Sequence, residues 1–232
     1  MKRFYKQAGL GEDAGGLLVQ LDGRTVMTPT KQPLTVPSKS LADAMVAEWD
    51  GQGDEVDMAS MPMTGLGFAV IDHVAPNRDG IIAQIRGYAE TELLCHFDDR
   101  DQALIARQNE CWKPVLDWAA EGLKLPLKPT AGIMPVTQDP DVVSGYGKHL
   151  EGFDDWHLTA VSQAVGLTGS ILLGLAMVTR EIDADAAHQA SLVDELYQAE
   201  RWGSDEEAET RRANLRADLE MTRRFTDLLD EI

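Results

Sequence analysis

Over roughly its first forty positions the chain reads as short β-prone runs broken by turn residues, and from Ser40 onward apolar residues recur at spacings of three and four. Leu17-Leu18-Val19-Gln20-Leu21 and Arg24-Thr25-Val26-Met27-Thr28 are separated by Asp22-Gly23. A type I′ turn needs positive φ at both central residues, and an Asp-Gly pair accepts it, so this segment is expected to be a hairpin. Arg3 to Gln7 and Leu34 to Val36 are expected as flanking strands, with Pro29, Pro33 and Pro37 confining the later segment to edges and turns. The glycines at 9, 11, 15 and 16 read as a turn before the hairpin, since they open no helix and lack the Lys-Ser/Thr that grips phosphate.

The helical part begins with Ser40 and Asp43 as an N-terminal cap, then Leu41, Met45 and Trp49 at spacing four, and Gly51 as a stop. Further helices are expected over 62–74, over 79–94 with Ile81, Ile85, Tyr88 and Ala89 as the apolar stripe, and over 101–120, which Pro114 should kink or divide. The Pro- and Gly-rich stretch 123–136 interrupts the helical run as a loop or as a short strand pair returning to the first sheet. Beyond it, helices are expected near 140–151, 155–166, 169–180 and 184–200, and from a capping box at Ser204 and Glu207. Residues 170–179 are apolar nearly all round, the mark of a central buried helix. In the last helix Leu215, Leu219, Phe225 and Leu229 form the apolar side.

Composition narrows the function more than the fold. Across 232 residues, 39 acidic against 21 basic side chains give a net charge of -18, which repels nucleic-acid phosphates and anionic lipid. Residues 1–38 carry a slight positive excess, so the acidity belongs to the helical remainder. Cys95 and Cys111 occupy no metal-binding spacing and read as reduced thiols. The amino end has neither the apolar run of a signal peptide nor the composition of an organelle presequence, and no stretch reaches the ~20 apolar residues of a membrane span.

Catalytic constellations are sparse. His73, His96, His149, His157 and His188 never occur as HxxxH or HExxH, and no two of them stand at helical ligand spacing together with a carboxylate, so no metal is expected. Gly166-Leu167-Thr168-Gly169-Ser170 lacks the last small residue of a nucleophile elbow and reads as a helix cap. Asp72-His73 reads as a helix end. Glu90 with Glu92, and Asp194 with Glu195, form no acid/base couple, because neighbours on a helix point apart, and they read mostly as solvated faces. Two stretches combine tryptophan with acids and amides: Ala47-Glu48-Trp49-Asp50-Gly51-Gln52, and Asp194-Glu195-Leu196-Tyr197-Gln198-Ala199-Glu200-Arg201-Trp202-Gly203. Trp49 and Trp202 are either interface anchors or core plugs.

With these in view, the sequence resembles the F-type ATP synthase assembly chaperone family that acts on the alpha subunit, found in mitochondria and alpha-proteobacteria. The landmarks run in order: Arg3-Phe4-Tyr5-Lys6, Leu21-Asp22-Gly23-Arg24, Thr28-Pro29, Leu34 to Pro37, Ala47 to Gln52 and Met61-Pro62-Met63-Thr64. They continue with Thr91-Glu92-Leu93-Leu94, Trp112-Lys113-Pro114, Thr168-Gly169-Ser170, Glu195 with Tyr197-Gln198, and Trp202-Gly203. Glu92, where the family favours aspartate, and Lys113, where it favours an acid, are mild departures.

The resemblance implies a chaperone without nucleotide turnover that holds a new alpha subunit until the beta subunit replaces it. The expectation is therefore an α+β protein, with a small antiparallel β-rich domain over 1–75 and a mainly α-helical bundle over 76–232. It is expected to need no cofactor, to be a monomer, and to work in a bacterial cytoplasm, or in the mitochondrial matrix if it is a trimmed organelle protein. Client contact is assigned to Glu195, Glu200, Trp202, Tyr197, Gln198, Trp49, Glu48 and Asp50. Two alternatives stand beside it: a hydrolase-like enzyme using Asp72, His73 and Ser170, and a general acidic holdase.

Overall fold

Asp22 and Gly23 take φ of 48° and 77°, the double left-handed turn their side chains permit. In the computed structural model, which describes residues 1–132, 134 and 136–231, that turn joins β2 (Gly16–Leu21) to β3 (Arg24–Thr25). β2 also pairs antiparallel with β1 (Ala8–Asp13) and with β4 (Thr35–Val36), giving a four-stranded sheet with β2 at its centre. The flanking strand is thus not Arg3 to Gln7. Those residues use their backbone elsewhere: the Arg3 amide donates to the Asp54 carbonyl at 2.9 Å, and the Lys6 and Gln7 amides donate to the Asp22 carboxylate. Gly9 and Gly11 lie inside β1, and a Cβ on Gly11 would strike the Gln20 side chain lying over it, 2.2 Å away.

The buried face of this sheet, with Val19, Leu34 and Val36, packs with Leu41 and Met45 of α1 (Lys39–Asp50). The cap of α1 is Ser38, two residues before the expected Ser40. The Ser38 hydroxyl accepts from the Leu41 amide at 3.1 Å and donates to the Leu228 carbonyl at 2.6 Å, while Asp43 pairs with Lys39. A π-helical turn over Val70–Val74 and a 3₁₀ turn over Ala75–Asn77 follow α2 (Pro62–Ala69), leading to α3 (Arg78–Gly87). The buried stripe of α3 is Ile82 and Ile85, continuing to Ala89, so Ile81 is displaced from it.

After two 3₁₀ turns and β5 (His96–Phe97), α4 (Gln102–Glu121) runs through Pro114 without being divided. Trp112, Val115 and Ala119 are buried on either side of the proline, so packing on that face outweighs one missing backbone donor. The stretch 123–136, of which residues 133 and 135 lie outside the described residues, does not return to the first sheet. Its β6 (Thr130–Ala131) pairs in parallel with β5, and Gln138 clamps the loop by hydrogen bonds to both backbone groups of Lys128.

The rest is helical: α5 (Pro140–Glu151), α6 (Asp155–Thr168), α7 (Ile171–Val178), α8 (Ala184–Ser191), α9 (Val193–Trp202) and α10 (Glu206–Leu229). Every residue of α7 is buried, and a Cβ on Gly174 would lie 2.4 Å from Val165, so glycine sets how closely α6 and α7 approach. The single helix expected over 184–200 is two helices, broken at Leu192. At the start of α10 the cap is Asp205, whose carboxylate accepts from the Ala208 amide at 2.7 Å, in place of Ser204.

The chain forms two compact units, each discontinuous in sequence. The first contains 1–78, 154–160 and the described residues from Arg224 onward, and the second contains 79–153 and 161–223. In the first unit Trp156 stacks on Phe225, and His157 stands between Asp154 and Asp230 at 2.8 and 3.1 Å. The architecture is α+β, a small antiparallel sheet followed by a mainly helical region. No helix among the described residues is long and apolar enough to cross a membrane.

Candidate functional site

Tyr197 organises the face of α9 within the second unit. The helix buries Val193 and Tyr197, four apart, and leaves Gln198, Glu200 and Trp202 exposed. Guanidinium groups of Arg107 and Arg201 lie 5.1 and 4.8 Å from the Tyr197 ring centroid, both in cation–π range. The Tyr197 hydroxyl donates to Asp101 at 2.8 Å, and the same carboxylate takes Arg201 at 2.7 Å. Arg107 in turn grips Glu200 with both nitrogens, its Nη1 at 2.8 Å from Oε1.

The acidic residues of this helix are therefore already engaged. Asp194 accepts from the Gln108 amide at 2.8 Å, and Glu195 accepts from Arg212 at 2.9 Å and from Arg211. Burial by itself would raise the Glu195 pKa, but the hydrogen bonds from the two arginines outweigh it and hold the carboxyl below its ordinary value. Hydrogen bonding to Arg107 likewise holds Glu200 low. Trp202 stands 76% exposed at the end of α9, on the same helix as exposed Gln198, where Gly203 at φ 87° turns the chain away.

The second tryptophan stretch lies in the other unit and is committed to packing. Trp49 is 5% exposed and meets the Tyr5 ring edge-on at 5.8 Å, and the Tyr5 hydroxyl donates to the Trp49 carbonyl. Glu48 caps α2, which has no side-chain cap of its own, by accepting from the Met63 and Thr64 amides at 2.7 and 2.8 Å. Asp50 accepts from the Ala8 amide at 3.3 Å and pairs with Arg3 at 3.6 Å. So five of the eight candidate residues share one helix, and Glu48, Trp49 and Asp50 share another in a different unit.

The hydrolase-like constellation is not assembled by the described hydrogen bonds. Asp72 and His73 belong to the first unit, where the Asp72 carboxylate accepts from Thr28 at 2.7 Å and from the Thr30 amide at 3.1 Å. Ser170 belongs to the second, capping α7 by accepting from the Leu173 amide at 3.0 Å and donating to Glu92. Among the described residues no group of three or more His, Cys, Asp or Glu could hold a metal ion.

Glu92 departs from the exposed position expected of it. It is not on a solvated face: it is wholly buried, accepting from Ser170, from the Ile171 amide at 3.0 Å and from the Leu94 amide at 3.2 Å. Burial pushes its pKa up to about 7, against the lowering effect of those donors. It also raises Tyr146 and helps push Cys95 up to about 12, in both cases behind burial itself. The available signal was an acid set directly before Leu93, Leu94 and Cys95, where a solvated face has no reason to be apolar.

The family model described as ATP12 chaperone protein matches residues 2–120. The crystal structure of Atp12 from Paracoccus denitrificans superposes with a TM-score of 0.94 at 41% identity, covering 98% of each chain. The structure of Atu1473 from Agrobacterium tumefaciens gives 0.90 at 34% identity, over 99% of this chain and 85% of that one. Protein atp12, mitochondrial, of Schizosaccharomyces pombe is 24% identical over 89% of this chain and 75% of its own length.

Proposed function

The chain belongs to the ATP12 chaperone protein family of ATP synthase assembly chaperones, and from that premise we propose that it holds the unassembled alpha subunit until the beta subunit replaces it. An alpha subunit without its neighbour exposes apolar surface meant for beta, an aggregation hazard that a reversible cover removes. The observation that carries the reading is the exposed indole of Trp202 on a helix whose charged side chains and Tyr197 are held by contacts within the unit. A large, stiff, amphipathic side chain held at 76% exposure on a rigid base is an interface anchor with little ordering cost.

In this reading Trp202, Gln198 and the outer edge of Glu200 touch the client directly. Glu195 and Tyr197 position that face, Glu195 through Arg211 and Arg212 and Tyr197 through Asp101. The acidic surface steers basic regions of alpha toward it. Glu48, Trp49 and Asp50 support the client face only through the stability of their own unit. The place of action is the bacterial cytoplasm or the mitochondrial matrix, in keeping with the Schizosaccharomyces pombe relative named as mitochondrial.

The test is co-purification of alpha, expressed without beta, followed by addition of beta. Capture and then release is the expected result, and Glu195→Lys is expected to abolish capture in a protein that still folds. Equal binding of unrelated aggregating proteins would point to the general holdase, and failure to bind alpha would overturn the proposal.

A further inference from the structure

A groove of about 1020 Å³ lies along the first turns of α10. Its floor is aliphatic: Leu167 at the end of α6 and Leu215 on α10, both half-buried. Its rim is acidic, with Asp205, Glu206, Glu207 and Asp218, and its one basic residue, Arg211, already serves Glu195. Asp205 is occupied as the cap of α10. Glu206, Glu207 and Asp218 have no ion pair among the described residues, unlike Glu195, Glu200 and Glu220, each of which holds an arginine.

Half-buried leucines beside unmatched carboxylates form a surface complementary to one kind of ligand. Phosphates, nucleic acid and anionic lipid are repelled, whereas a chain segment with Lys or Arg flanking an aliphatic residue satisfies both rim and floor. The groove is also continuous with the α9 face: Arg211 links it to Glu195, and only Gly203 and Ser204 separate Trp202 from Asp205. We propose that this groove docks a basic amphipathic segment of the partner polypeptide, its aliphatic side chain on Leu167 and Leu215 and its cations on Glu206, Glu207 and Asp218. This deepens the chaperone reading and rests on it for the identity of the partner.

Two probes separate the two ideas. The first is an amphipathic Lys/Leu peptide of about 14 residues, with a Glu/Leu peptide as its counterpart, titrated against the whole protein at about 0.1 M ionic strength. The second is the alpha subunit expressed without beta. Each is measured with the native chain and with a Glu206→Gln, Glu207→Gln, Asp218→Asn variant, whose isosteres preserve shape and whose folding is checked by thermal denaturation. The expected result is that the basic peptide binds and the acidic one does not, and that the variant holds both basic peptide and alpha about tenfold more weakly with a shallower salt dependence. Equal binding of either probe by the variant overturns the groove. If the basic peptide binds as expected and alpha is never captured, the groove stands as a basic-segment site and the assignment of the client falls.

Discussion

Glu92 and Ser170, 78 positions apart, meet through a hydrogen bond at the buried N-terminus of α7. Ser170 caps the helix directly, and the carboxylate of Glu92 takes the next free amide, that of Ile171, as well as the serine hydroxyl. A helix apolar on every side has its orphan amides far from water, so they are satisfied by side chains brought from elsewhere in the chain.

Glu92→Leu leaves a hydroxyl and two amides without their acceptor and is expected to cost about 3 kcal/mol, read from the urea midpoint at constant slope. Glu92→Gln keeps an acceptor and should cost less. An ordinary stability for Glu92→Leu would refute the capping role.

The same residue sets a pH dependence. Its pKa lies at about 7 in the folded chain against an ordinary 4.5, so the folded state binds the extra proton between those values. The contribution is complete below 4.5 and is lost as pH rises through 7. Native protein should therefore lose stability across that window, and Glu92→Gln should remove this part of the slope. An unchanged slope in the variant would assign the effect to other groups.

His157 works in the next window. Hydrogen bonding to Asp154, against the opposing effect of burial, raises its pKa above the ordinary value, and Asp230 adds to it. A raised value means stability that is full below pH 6.5 and is lost as pH rises through the folded pKa. Thermal unfolding between pH 6 and 9 should show this loss, and His157→Gln should not show it. Proteolysis of the carboxy-terminal residues, which carry Asp230, is the more local readout.

The two tryptophans should separate cleanly. Trp49→Ala empties a packed site and is expected to cost about 3–5 kcal/mol, whereas Trp202→Ala should stay within about 0.5 kcal/mol. Capture of alpha should respond in the opposite sense, falling at least about tenfold for Trp202→Ala. A Trp202→Ala chain that captures alpha normally would move the client face away from α9.

Glu48→Ala is expected to destabilise the first unit by about 1–2 kcal/mol through the lost cap on Met63 and Thr64. Amide exchange at those two positions should accelerate before that of α1. Unaltered protection there would place the cap elsewhere.

Local rules settled what is local. The Asp22-Gly23 hairpin and the all-buried α7 were legible because one is decided by the φ of its two turn residues and the other by the apolarity of one stretch. The ordered landmarks, together, also carried the family. What the sequence could not decide was the destination of a side chain whose partner is distant. Glu92, between two 3₁₀ turns, and Glu195, on α9, are both acids, yet one is buried under Ser170 and the other is held by two arginines. Trp49 and Trp202 sit in similar company, yet one packs on Tyr5 and the other stands in solvent. β5 and β6 are two residues each, too short for a pattern, and exist because the folded chain brings them side by side. Burial and long-range pairing are properties of the whole packing, so their energies enter only when the fold has closed.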